Sequence, residues 1–239
     1  MSARPNAPEI FDRDVAAEGG YIYALGDRLS SRLATARWFE LMLDFVDLEN
    51  RTVIDIGCGD GSSTIRLHDL GRPRWMVAVD PARRAIGAAS TKRGDREILF
   101  LVGDGNHLPL PMDSVDVAIL LGVLHHDVDP ASTLREALRV AGTVVCLEPN
   151  GYSPFLKILE KVSGYHRTHD ERSYTGRRLG AWVEAADGEV IAGRLGVAVP
   201  MFCPDWAARL LKLAEPVIER MPLVNRLLCA VYVFRANRR

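Results

Sequence analysis

The residues able to do chemistry in this 239-residue chain recur at intervals between Asp55 and Glu148. Gly57-x-Gly59-x-Gly61 follows Val53-Ile54-Asp55-Ile56 at once and precedes Ser62-Ser63-Thr64, an order of strand, turn and helix. Glycine accepts positive φ and has no Cβ, so a ligand can lie against the main chain. The N–H groups that open the helix favour an anionic group on that ligand. Alone, such a turn serves a dinucleotide, a phosphate or nothing. Its spacing departs from the Gly-x-Gly-x-x-Gly of the dinucleotide fingerprint. Further along stand Asp80, then Gly103-Asp104-Gly105-Asn106, then Gly122-Val123-Leu124-His125-His126-Asp127, and finally Glu148. Asp80 is placed to hydrogen-bond ribose hydroxyls, or to cap a helix. His125 and His126 offer proton acceptors near neutral pH, or loop-holding hydrogen bonds.

These residues fall at the ends of apolar, β-branched runs, and the runs predict the elements that carry them. Strands are expected at 51–56, 75–79, 98–102, 115–121 and 143–147. Helices are expected at 30–46, 62–70, 82–90 with Pro81 suited to its start, 130–140 and 153–163. After residue 151 the rhythm changes. A polar stretch at 164–178 leads to a helix near 178–186 and a strand near 189–198. A helix from Asp205 to about Arg220, interrupted by Pro216, precedes a last strand from Leu227 to Phe234. Strands alternating with helices predict a doubly wound parallel sheet with helices on both faces. In such a sheet ligands sit at the carboxyl ends of the strands, where strand order reverses.

Composition is that of a globular protein, 48% hydrophobic and 26% charged. Formal net charge is −1 but uneven: residues 151–239 hold 14 Lys+Arg against 9 Asp+Glu. That surplus suits an anionic partner or plain solvated surface. Cys58, Cys146, Cys203 and Cys229 are far apart and predict neither a disulfide frame nor a metal site. Residues 1–11 lack the apolar core of a signal peptide, and no uncharged run reaches spanning length. A cytoplasmic protein is therefore expected. Residues 1–28 read as an arm and 29–239 as one domain, with a cofactor half at about 45–150 and a substrate or cover half at about 151–239.

The ordered set Asp55-x-Gly57-x-Gly59-x-Gly61, Asp80, Gly103-Asp104 before His107-Leu108-Pro109, and Leu124-His125-His126 resembles the class I S-adenosylmethionine-dependent methyltransferases. The resemblance covers roughly residues 45–150 and implies a Rossmann-like, seven-stranded sheet with an antiparallel last strand. It implies S-adenosyl-L-methionine as cofactor, held by Tyr23, Arg32, Asp55, Gly57, Cys58, Gly59, Asp80, Pro81, Asp104, Gly105 and Leu121. Gly57 and Gly59 would lie under the methionine part, Asp80 would take the ribose hydroxyls and Asp104 the adenine amino group. Tyr21, Tyr23 and Arg32 would fold over the cofactor. His125, His126 and Glu148 are the candidates for removing a proton from the acceptor.

The resemblance favours a small-molecule acceptor: a sugar, nucleotide-sugar, glycolipid or related natural product methylated on oxygen, or else a quinone or lipid. Arg167, Arg172, Arg177 and Arg178, near His166 and His169, are candidates to hold an anionic acceptor bidentately. No Lys/Arg run with interleaved aromatics predicts a nucleic-acid groove. The apolar stretch from Trp206 to Leu228 reads as a lid, an interfacial helix, a dimer surface or core packing. A nicotinamide oxidoreductase and a non-catalytic cofactor-binding protein are the rival classes.

Overall fold

A computed structural model describes residues 28–163 and 172–239. Helix α1 (Leu29–Phe45) leads to β1 (Thr52–Ile56), α2 (Ser62–Gly71), β2 (Trp75–Asp80), α3 (Arg83–Lys92), β3 (Ile98–Val102) and β4 (Val115–Leu121). Then come α4 (Pro130–Val140), β5 (Ala141–Pro149), α5 (Pro154–Val162), α6 (Gly176–Ala185), β6 (Gly188–Gly196), α7 (Asp205–Arg220), α8 (Pro222–Leu228) and β7 (Val231–Arg238).

The strands form one seven-stranded sheet in the order β3-β2-β1-β4-β5-β7-β6. β7 runs antiparallel to both β5 and β6, and the other pairings are parallel. The expected Rossmann-like architecture is the observed one. All five residues of β1 are buried, as a central strand covered on both faces requires. Alternate side chains feed two cores. Val53 packs with Phe39, Met42, Leu67 and Ile86 from α1, α2 and α3. Ile54 packs with Leu134, Leu138, Leu179 and Val183 from α4 and α6. Chain order reverses between β1 and β4, so a crevice opens at the carboxyl ends of those two strands.

Three local expectations need correction. The helix after β2 begins at Arg83 with Ala82 as its N-cap, so Pro81 precedes the helix instead of opening it. Pro216 does not interrupt α7, which runs through it. Residues 222–228 form a helix, and the last strand starts only at Val231.

The continuity of α7 has a physical cause on its inner face. Arg37 of α1 donates from Nε and Nη2 to the Glu219 carboxylate, at 3.1 and 2.6 Å. Glu219 Oε1 also accepts from Val197 N at 3.1 Å, and Glu215 Oε1 from Ala198 N at 3.0 Å. Val197 is β-branched with φ 66°, an unfavourable left-handed conformation that these bonds hold in place. Anchored at residues 215 and 219, the helix absorbs the missing amide of Pro216. Breaking such a buried pair from one side is expensive because it strands charge. Arg37→Met should therefore lower stability by about 3–5 kcal/mol, seen as a lower denaturant midpoint with unchanged slope. A change within error would show that Arg37 does not hold the two glutamates.

Candidate active site

The glycine turn after β1 is built as its residue types require. Gly57, Gly59 and Gly61 have φ of 77°, 55° and 75°, a run of left-handed positions that side chains would strain. A Cβ at Gly57 would also fall 2.6 Å from Val123 Cγ2, so the turn after β1 and the loop after β4 touch at a glycine. Asp80, at the end of β2, accepts from Gly59 N at 2.9 Å and from Ala82 N at 2.8 Å. Those contacts fix the plane of its carboxylate beside the turn. Asp55 lies fully buried beneath the turn and accepts from the Thr64 hydroxyl at 2.6 Å.

Burial raises the Asp55 carboxyl to about 6, against the opposing Thr64 bond, with Asp80 adding to the rise. Burial likewise pushes the Cys58 thiol well above its usual range, and Asp55, Asp80 and Asp60 push it further. The turn therefore sits in a field of carboxylates, next to a strand-end acid. A ligand with vicinal hydroxyls and positive charge fits that field, and a dianionic phosphate group would be opposed by it.

The β3 end meets the β4 end through one amide. Asn106 Nδ2 donates to Asp104 Oδ1 at 3.2 Å and to Asp127 Oδ1 at 3.1 Å, while Thr133 Oγ1 donates to Asp127 Oδ2. Asp104 is exposed at the crevice edge. Gly105 admits no side chain without displacing Ile56, whose Cγ2 would lie 2.8 Å from a Cβ there. Leu121 is half-buried at the end of β4, and Pro81 is exposed after β2.

Glu148 governs the loop after β4. Its carboxylate is completely buried. Oε1 accepts from Val123 N and Leu124 N, each at 2.8 Å; Oε2 accepts from His125 N at 3.2 Å and His125 Nδ1 at 2.8 Å. Those four bonds match the acceptor capacity of a carboxylate. Through the last of them the carboxylate holds the His125 imidazole by its Nδ1. The helix after β5 is capped by Ser153, which accepts from Leu156 N. With Glu148 Oε2 as the acceptor of that bond to His125, the His125 ring proton sits on Nδ1. The His126 ring lies against His125, centroids 3.9 Å apart at 42°.

Of the described arginine candidates, Arg172 and Arg178 both act on the Tyr174 phenol. The Arg172 main chain donates to His125 O at 3.1 Å, which brings residue 172 to the histidine loop. Arg178 lies over the rings of Tyr174 and Trp182, at 5.8 and 5.2 Å from their centroids. Arg177 is exposed, its main-chain N donating to Tyr152 Oη at 3.2 Å. Arg32 is exposed in the first turn of α1. Tyr21, Tyr23, His166, Arg167 and His169 lie outside the described residues. Sequence reasoning missed Tyr174, a half-buried phenol raised by burial and felt by Glu148 and Asp127. It also missed the Asn106–Asp127 link. The Asn two residues after Asp104 carried that signal only once β3 and β4 ends were known to meet.

Residues 54–152 match the family model described as "Methyltransferase domain". Over that stretch, from β1 to just past β5, the chain is similar to methyltransferase domains. It is 30% identical over 120 residues to the chloroplastic 2-methyl-6-phytyl-1,4-hydroquinone methyltransferase of Spinacia oleracea, covering 48% of this chain and 35% of that protein. It is also 30% identical over 115 residues to the tRNA U34 carboxymethyltransferase of Shewanella oneidensis, covering 46% and 34%. The chain thus spans about a third of the length of these curated relatives. Among solved structures, a possible histamine N-methyltransferase from Thermotoga maritima shares the fold, with TM-score 0.70, 17% identity and coverage of 98% and 100%.

The Asp55 environment makes a testable statement about the ligand-free domain. Its folded pKa, about 6, lies above the ordinary 3.8. The folded state therefore binds the proton more tightly, and the contribution of Asp55 to stability is lost as pH rises from about 4 through about 6. Asp55→Asn keeps the Thr64 hydrogen bond and removes the charge. Thermal melts should coincide near pH 4 and separate as pH rises, the variant being more stable at pH 7.5 by on the order of 1–3 kcal/mol. Parallel curves across that range would refute the buried charge.

Proposed function

We propose that the protein transfers a methyl group from S-adenosylmethionine to a small molecule bearing an acidic hydroxyl, with His125 taking the proton. The observation that carries this reading is the Glu148–His125 pair, 2.8 Å apart, on the loop that touches the glycine turn. When bound, S-adenosylmethionine supplies an electrophilic methyl on a positively charged sulfur. The carboxylate field around Cys58 suits that charge, and Asp80 suits a ribose diol. Asp104 and the Gly105 main chain are assigned to the adenine end, Leu121 and Pro81 to the crevice walls, and Arg32 to the cofactor carboxylate.

His125 is the group assigned to touch the acceptor. Glu148 is a positioning residue: it fixes the imidazole tautomer and stabilises the imidazolium that forms after proton uptake. An oxygen acceptor needs that proton removed. A phenolic ring carbon needs it too, since the phenolate is nucleophilic at oxygen and at the ring positions ortho and para to it. Among the acceptor classes expected from sequence, a quinol or other amphiphilic phenol is favoured over a sugar. The similarity to a hydroquinone methyltransferase supports this, as do the exposed apolar helices around the same sheet edge.

Two measurements test the reading. Asp80→Ala should weaken S-adenosylmethionine binding by about 2–3 kcal/mol, the worth of charge-assisted hydrogen bonds. Calorimetry giving wild-type affinity in a folded variant would remove Asp80 from the cofactor site. His125→Ala should lower kcat by about 10²–10⁴-fold with cofactor affinity unchanged. Labelled-methyl transfer to hydroquinone, sugar-nucleotide and catechol panels supplies the assay. Wild-type turnover in both His125→Ala and His126→Ala would leave positioning as the sole contribution of the loop.

A further inference from the structure

Three helices meet where the parallel strands end. α5 follows β5, α7 follows β6, and α8 precedes β7. Asn150 Nδ2 donates to the carbonyls of Arg226 and Cys229, and Ser153 Oγ to that of Leu227, so the start of α5 is tied to the end of α8. Each helix buries little on its outer side. On α7, Trp206, Leu210, Leu213 and Val217 are spaced i, i+4, i+7, i+11 and form one stripe. Trp206 is 69% exposed and Leu213 79%. α5 repeats the arrangement with exposed Phe155 and Ile158 and has no buried residue at all. Leu223 and Leu227 continue it on α8.

The charges around this stripe are sorted. Glu215 and Glu219 point inward, bonded to Arg37, Lys212 and the amides of residues 197 and 198. Glu160 is taken up by Lys157 and Ser173. What stays exposed without an ion pair among the described residues is Lys161, Arg209, Arg220 and Arg226, against Asp205 alone. By helical spacing Arg209 and Arg220 flank the stripe of α7 on one side. A second copy docking here through a two-fold axis would set these cations against each other. An anionic bilayer would complement them: basic side chains at the headgroups, with a tryptophan and leucines below, are the signature of interfacial helices. Among the described residues no helix is long and apolar enough to cross a membrane, so the contact is superficial.

We propose that the outer faces of α5, α7 and α8 dock the protein on an anionic lipid surface. The inference rests on this surface and stands or falls apart from methyl transfer. The test is co-sedimentation of the full chain with vesicles of phosphatidylcholine alone or containing 30% phosphatidylglycerol, at low and high salt. Binding is expected to the anionic vesicles, with a blue shift of Trp206 emission that Trp206→Phe abolishes. Leu213→Glu should weaken it about tenfold or more. Arg209→Glu combined with Arg220→Glu should erase the preference for anionic lipid and the salt dependence. All altered side chains are exposed, and circular dichroism melts check that each variant is folded. No binding to either vesicle, or binding indifferent to all variants, overturns the proposal. So does a self-association in ultracentrifugation that Leu213→Glu abolishes, which would make this face an interface between copies.

Discussion

One buried carboxylate organises the end of the sheet where the candidate chemistry lies. Glu148 has no solvent contact, and three main-chain amides and one imidazole nitrogen converge on it. An ionised group so placed is tolerable only when its acceptor positions are filled. The loop after β4 must therefore curl around the end of β5, and β4 and β5 must be neighbours in register. That same curl presses Val123 toward Gly57, so the pose of His125 and the packing against the glycine turn are linked.

How much of this was legible in the sequence depended on how local the determining forces were. The strands at 98–102 and 115–121 and the start of the helix at Pro130 were read to the residue, because apolar runs and a Pro at the helix start act within a few positions. The family-like motifs from Asp55 to His126 belong to the same local class. The region from 197 to 230 was read poorly for the opposite reason. Pro216 signals a break by itself, and bonds to Glu219 from Arg37, 182 positions away, and to Glu219 and Glu215 from the Val197 and Ala198 amides hold the helix through it. Such a partner is invisible until α1 and α7 are seen side by side. Glu148 was legible as a strand-end acid, but the amides that converge on it lie 23 to 25 positions away and show only once β4 and β5 are seen side by side.

The molecule also divides its charge by function. Acids cluster under the glycine turn, where Asp55, Asp60 and Asp80 act on one thiol. Basic side chains dominate the exposed rim of the late helices.

That acidic turn has a consequence for redox chemistry. Cys58 occupies the position next to the ligand crevice, where an ordinary thiol would be a natural target for alkylating reagents and peroxide. Reactivity, however, belongs to the thiolate. Burial and three surrounding carboxylates suppress that form. Cys146 and Cys229 are silenced in the same way by burial, Cys229 pushed up to about 12. Half-buried Cys203 remains as the thiol that reagents would meet first. Thiol reagents would then report first on the segment between β6 and α7 and leave the thiol of the glycine turn unmodified.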